Sequence, residues 1–296
     1  MSAVPQPRKA VLFALLAVLL WSTVATAFKL TLEHLSPVQL VWLASLVSTL
    51  FLAVVVVAKG KLKVLPSLFK TQPLLFLALG AINPFAYYWV LFEAYDRLPA
   101  QQAQTLNYTW AITLTLLSVP LLKHRVTRAQ WLGAGLGYLG AVVIATQGRL
   151  LSLQFDSTLG VILALSSTLL WATYWILNTK QSQDPVASLL VCFLIGTPLC
   201  GLLAWSQGDL WPANWQGWLG ATYIGLFEMG VTFIVWLTAL RLTDSAARVG
   251  NLIFLSPFLS LVFVYLFLGE TIHPATYIGL SLIVIGVLAQ QGGRRK

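Results

Sequence analysis

Apolar runs long enough to cross a bilayer follow one another along this chain with only short polar breaks, and that recurrence limits what it can fold into. A membrane-spanning helix needs about 20 consecutive apolar residues. Read between Pro, Gly and charge clusters, such runs fall at residues 10–30, 38–58, 74–95, 100–122, 128–147, 158–178, 187–206, 216–240, 246–268 and 274–291. No gap between them holds a water-soluble domain. Composition agrees, with 58% hydrophobic and 9% charged residues against roughly 25% charged in a soluble domain. The predicted fold is an all-α integral membrane protein of ten transmembrane helices.

Charge placement predicts the orientation. With both termini cytoplasmic, the inner segments hold Arg8, Lys9, Lys59, Lys61, Lys63, Lys70, Lys123, Arg125, Arg128, Lys180, Arg241, Arg248, Arg294, Arg295 and Lys296. The outer loops hold Arg97, Arg149 and the acids Glu33, Asp96, Asp156, Asp209 and Glu270. An excess of Lys and Arg marks the cytoplasmic side, so both termini are placed inside a cell inner (plasma) membrane. The net charge of +9 is thereby accounted for without a nucleic-acid partner. Arg8 and Lys9 before an apolar run, with Ala25-Thr26-Ala27 after it, mimic a secretory signal. An uncleaved first helix fits better, because removing it would break the symmetry described next.

Arg97-Leu98, Asn107, Gly135 and Gly148 recur as Arg241-Leu242, Asn251, Gly279 and Gly292 at a constant offset of 144 residues, 97 matching 241 and 148 matching 292. Trp21 and Thr23 match Trp171 and Thr173, and Pro37-Val38 matches Pro185-Val186, at an offset of about 150. The chain therefore divides into two copies, 1–148 and 149–296, of five helices each. An odd number of spans makes the second copy enter from the opposite side, giving inverted repeats and, with them, alternating access around a site at the bilayer midplane.

In the second copy, Arg241-Leu242, Ser245-Ala246-Ala247, Ser256-Pro257 and Leu268-Gly269-Glu270-Thr271 precede a Gly-punctuated last helix. This half resembles an EamA-type domain of the drug/metabolite transporter superfamily. The first half looks like a diverged copy, with Thr113 in place of Pro257 and Arg125-Val126 in place of Gly269-Glu270. The resemblance implies ten helices, cytoplasmic termini and a central cavity lined by helices 1, 3, 4, 6, 8 and 9, with 5 and 10 peripheral. It also implies export of amino acids or other metabolites.

The residues themselves supply candidates for substrate binding. Glu228 lies near the middle of the eighth run, where a carboxylate costs at least about 2.5 kcal/mol and has to face protein or water. It is either a contact for a cation or a proton, or a structural hydrogen bond between helices. Thr232, one turn on, is expected on the same face. Trp171, Tyr174, Trp175 and Asn178 share one face of the sixth run at i, i+3, i+4 and i+7, and Trp21 is the repeat mate of Trp171. The rings suit aromatic solutes or organic cations, or they fill a helix interface. Asn83 and Tyr87 in the third run, with Asn107 and Asn251 in the fourth and ninth, either bind solute or join helices. Glu93 and Lys29 lie near helix ends, where long side chains snorkel to the interface.

Function classes narrow from what is missing as well. His34, His124 and His273 are scattered over loops, no H-E-x-x-H or Walker pattern occurs, and Cys192 and Cys200 share one apolar run. No metal, cofactor or enzyme activity is expected. A membrane-embedded enzyme or a non-transport scaffold is the alternative class, and a drug, organic-cation or nucleoside carrier the alternative among transporters. Without a nucleotide site, transport must draw on the solute's own gradient or on a coupled ion, a proton being the candidate. The expected partners are a small-molecule substrate and the lipid bilayer, the chain acting as a monomer or a homodimer.

Overall fold

A computed structural model of the chain describes residues 6–122, 127–150, 155–181, 184–243 and 251–292. Lys123, Arg125, Val126, Ser245, Ala246, Ala247, Arg248, Arg294, Arg295 and Lys296 lie outside these. Among the described residues all regular structure is helical. Seven helices are long and apolar enough to cross a membrane: α1 (Pro7–Leu32), α2 (Pro37–Ala58), α3 (Pro73–Arg97), α4 (Ala100–Leu122), α6 (Thr158–Asn178), α7 (Pro185–Ser206) and α8 (Trp215–Leu242). Between α4 and α6 lies α5 (Arg128–Ala145). The last two are α9, a 3-10 turn (Asn251–Leu255) running into Ser256–Leu268, and α10 (Pro274–Gly292). Each helix lies where an apolar run predicted one, except that the expected start of α9 at residue 246 falls outside the described residues.

Helix starts are set by local chemistry. Pro7, Pro37, Pro73 and Pro185 occupy first turns, where the missing amide proton costs nothing. Ser36 with Gln39 and Thr127 with Gln130 form reciprocal capping boxes at α2 and α5. Asn214 caps α8 through the Gly217 amide, 2.9 Å away, and Asp184 caps α7 through the Val186 and Ala187 amides.

The helices gather into two compact units. One holds Met1–Thr71 and Asp184–Gly269, hence α1, α2, α7, α8 and α9; the other holds Gln72–Gln183 and Glu270–Lys296, hence α3, α4, α5, α6 and α10. Each unit draws helices from both halves of the chain. In the first, α1 packs on α8 and α9; in the second, α6 packs on α3 and α4. Exchanging each helix for its repeat mate converts one set of pairings into the other.

Within each unit one pair of repeat-related helices packs together, and both pairs are antiparallel. At one end of α2, Lys61 pairs with Asp184 at the start of α7. Further along, Thr49 bonds Thr197 at 2.7 Å and Ser45 meets Cys200 at 3.8 Å, and at the other end Ser36 bonds Asp209. The α5–α10 pair closes on glycine. A Cβ at Gly133 would lie 2.4 Å from the Gly286 carbonyl oxygen, and one at Gly140 would lie 2.4 Å from that of Gly279. Close backbone approach of this kind is what small residues provide where lipid supplies no hydrophobic drive.

Two helices depart from α winding at mid-span. Ile224–Val231 of α8 winds as π-helix, and at Ala81–Ala86 of α3 two helical stretches meet across a kink. The two segments coincide at the repeat offset of 144 residues read from the sequence. Winding of the π kind is rare and clusters at functional sites. In α3 the kink holds Asn83 in extended geometry (φ −130°, ψ 116°) ahead of Pro84.

Two outcomes follow for stability. Gly286→Ala, whose Cβ would meet the Gly133 carbonyl at 2.4 Å, should cost about 1–3 kcal/mol in unfolding experiments in detergent, whereas Gly135→Ala, with open space around it, should be close to neutral. Burial pushes the Asp184 carboxyl up, but the Lys61 hydrogen bond, the Ala187 amide and the charges of Lys61 and Arg241 outweigh it and hold it below its ordinary 3.8. Its stabilisation is therefore present above about pH 3.8 and lost as pH falls through the depressed value. Asp184→Asn keeps a cap but loses the ion pair, so it should melt below wild type at pH 7, by up to about 1 kcal/mol. Variant and wild type should converge in acid.

Candidate functional site

In the second unit, four aromatic rings meet across α3 and α6. Trp171 stacks on Tyr87 with ring centroids 4.4 Å apart, and on Tyr174 at 5.3 Å; Trp175 stands edge-on to it at 5.8 Å. Tyr87, Trp171 and Tyr174 are buried, while Trp175 is half-buried. Helical spacing predicted the α6 rings as one face; Tyr87 joins them from α3.

The two helices are antiparallel here. Gly160 near the start of α6 faces Leu98 just past the end of α3, a Cβ there lying 2.7 Å from Leu98 Cγ, and Trp171 meets Tyr87. Asn83 on α3 and Trp175 on α6 are each four residues from that contact along the chain. Asn83 is 1% exposed. Its Oδ1 and the Trp175 Nε1 are both buried without a hydrogen-bond partner among the described residues. One atom accepts and the other donates, beside a stack of rings. Asn178, one turn further, accepts from Gln181.

Asn107 donates to Ser167 Oγ at 2.9 Å and so ties α4 to α6. Below it Thr113 bonds Thr168 at 3.0 Å and Tyr138 at 2.8 Å. Thr113 stands where the second copy carries Pro257, and its hydroxyl links three helices. Asn251 opens the 3-10 turn of α9, but its side chain lies outside the described residues.

In the first unit, Trp21 of α1 is half-buried and meets Phe233 edge-on at 5.7 Å and Trp236 at 5.7 Å. Beside it, Thr23 bonds Tyr223 at 2.6 Å, and Ser22 donates to Ser256 at 3.3 Å. Glu228 lies half-buried in the π-wound segment of α8. Thr232 follows as a fully buried residue whose hydroxyl is given to the Phe227 carbonyl five residues back. The α-helical spacing that put Thr232 on the Glu228 face does not account for that wider winding.

Several polar roles were not anticipated from sequence. Glu270 accepts from the Ala100 amide at 2.8 Å and so caps α4, where a carboxylate complements the positive helix end. Its neighbour Gly269 closes α9 in the left-handed region (φ 65°), a conformation that favours glycine. Together these assign a task to each member of the Gly269-Glu270 pair. Glu93, near the end of α3, pairs with Arg97 and accepts from Trp89 at 3.2 Å. Among the described residues no three His, Cys, Asp or Glu side chains group as metal ligands.

The geometry offers half-buried and buried aromatic surface with isolated hydrogen-bonding groups at mid-span, the makings of a small-solute site. Comparison with known proteins agrees in kind. The model of the EamA-like transporter family matches residues 8–146 and again 158–289. The aromatic amino acid exporter YddG of Ancylobacter novellus is 26% identical over 255 residues, covering 85% of this chain and 86% of its own. A probable terminal-alkyne amino-acid exporter of Streptantibioticus cattleyicolor is 25% identical over 288 residues, covering 95% and 92%. A crystal structure with a TM-score of 0.69, at 23% identity and covering 98% of this chain and 99% of its own, shares the fold. With both halves matched, the chain belongs to the EamA-like transporter family.

Proposed function

We propose that this protein is a secondary transporter that carries small organic metabolites, amino acids including aromatic ones or related amines, across the inner membrane by alternating access, in the direction of export. The observation that carries this reading is a pair of breaks in α winding at repeat-equivalent positions, a kink at Asn83 in α3 and a π-wound segment around Glu228 in α8. Polar groups at that depth are expensive and are kept for solute or ion. The aromatic stack of Tyr87, Trp171 and Tyr174 and the exporters among the relatives favour amino acids.

In this reading the chain forms ten spans as two inverted repeats, 1–148 and 149–296, with both termini cytoplasmic. Two antiparallel pairs of repeat mates, α2 with α7 and α5 with α10, support the inversion, as do two matches to one family model. The candidate contacts are Trp21, Asn83, Tyr87, Asn107, Trp171, Tyr174, Trp175, Asn178, Glu228, Thr232 and Asn251. Asn107, Asn178 and Thr232 have side chains in hydrogen bonds within the protein. Glu228 is the proposed proton site if transport is proton-coupled. A second reading, an organic-cation carrier, also rests on Glu228, whose carboxylate suits a solute with an ammonium group and no acid. The chain is read as a carrier rather than an enzyme, working as a monomer or a homodimer.

Counterflow of radiolabelled phenylalanine, tryptophan and a matched amine in proteoliposomes tests the reading. Wild type should show saturable exchange of the amino acids. Trp171→Ala and Asn83→Ala should lower it by about tenfold or more, each with a normal melting profile, as expected for losing a contact worth about 1.4 kcal/mol or more. Glu228→Gln should keep exchange while losing the response to an imposed pH gradient. Exchange of the amine alone would favour the second reading, and no saturable exchange in wild type would refute both.

A further inference from the structure

The segment between α2 and α3 concentrates positive charge. Lys59, Lys61, Lys63 and Lys70 lie within twelve residues, 59–70, that contain no acid. The chain there forms a 3-10 turn, Leu62–Val64, and a short helix, Leu65–Thr71. Leu68 is buried at 2% exposure and the short helix packs on α7, so the segment is fastened to its unit.

The four lysines differ in what they do. Lys61 is engaged with Asp184, and that carboxylate is also within 4.0 Å of Arg241. Lys59, Lys63 and Lys70 are exposed, and their side chains form no hydrogen bond or ion pair among the described residues. Exposed apolar side chains stand among them: Val57 at 54%, Leu62 at 49% and Phe69 at 37%. Ammonium groups interleaved with apolar side chains at the end of a membrane span match the boundary of a bilayer, where apolar groups enter the acyl region and cations meet headgroups.

We infer that this segment is a binding surface for acidic phospholipid headgroups, with Lys59, Lys63 and Lys70 as the phosphate contacts and Leu62 and Phe69 as the apolar anchors. The occupant follows from charge. A zwitterionic headgroup offers no net attraction, whereas an anionic leaflet draws basic residues beside a span, each adding to the attraction within a Debye length. Asp184 fixes the fourth lysine as a structural tie, so the lipid contacts sit on a braced segment. The inference depends neither on the transported solute nor on which leaflet the segment faces.

Native mass spectrometry of the full chain in neutral micelles tests it, titrated with phosphatidylglycerol, with phosphatidylcholine at equal concentration, and with inorganic phosphate. Wild type should retain phosphatidylglycerol over phosphatidylcholine by about tenfold or more, as expected for several basic contacts. The preference should collapse toward unity in the Lys59→Gln/Lys63→Gln/Lys70→Gln variant. Inorganic phosphate in excess should leave lipid retention unchanged. The Leu62→Ser/Phe69→Ser variant should keep the headgroup preference while retaining several-fold less of both lipids, which separates the anchors from the charges. Equal retention of the two lipids by wild type, an unchanged preference in the triple lysine variant, or displacement by inorganic phosphate would overturn the inference.

Discussion

A peptide group inside hydrocarbon has to find its hydrogen bond within the protein, because no water is there to supply it. Continuous α-helix meets that demand residue by residue, and nearly all of this chain obeys. Where a helix leaves α geometry at mid-span, the local ladder is rearranged and something else must compensate. α3 and α8 both do this, at Ala81–Ala86 and Ile224–Val231. In α8 the Thr232 hydroxyl is recruited to the Phe227 carbonyl, a direct instance of a side chain serving a displaced backbone group. That the disturbance recurs at the repeat offset, in helices that also carry Asn83 and Glu228, ties backbone irregularity to the polar groups the bilayer would otherwise exclude.

The surrounding structure holds these irregular segments in place with packing that hydrocarbon permits. Helix pairs close on glycine where backbones touch, at Gly133 with Gly286 and Gly140 with Gly279. They close on hydroxyl and amide contacts elsewhere, at Thr49 with Thr197, Asn107 with Ser167 and Thr113 with Thr168 and Tyr138. Charges are kept to the ends: Asp184 with Lys61 and Arg241, Glu93 with Arg97, and Glu270 on the first amides of α4. Asp184 and Glu270 cap or join helices and Glu93 with Arg97 pairs within α3, while at mid-span the Asn83 Oδ1 and the Trp175 Nε1 are buried without a hydrogen-bond partner among the described residues.

How much of this was legible in the sequence depends on the kind of signal. Span positions were, because transfer of long apolar runs dominates every competing local preference. The face shared by Trp171, Tyr174 and Trp175 was also legible from α-helical spacing. Tyr87 was foreseen as a candidate, yet its stacking on Trp171 depends on which helices are neighbours, and spacing does not encode that. The kink of α3 was marked only by Pro84 inside an apolar run, and the π-wound segment of α8 left no mark, since a one-residue change in winding has no periodic signature over so short a stretch. Asp184 carries no motif of its own in the sequence. Its task appears only once Lys61 and Arg241, distant in sequence, are brought to it. The mixing of first-half and second-half helices within each compact unit was likewise hidden.

The central claim of the proposal is that Asn83, at the kink of α3, and Glu228, in the π-wound stretch of α8, are each reached by water from either side of the membrane in turn. Single cysteines placed by Asn83→Cys and Glu228→Cys, in a chain whose Cys192 and Cys200 are replaced by Ala, test it with a membrane-impermeant thiol reagent applied from either side of sealed vesicles. The account predicts labelling of both positions from both sides, slowed by a transported amino acid. Labelling of neither position from either side, or rates indifferent to every transported solute, would contradict it.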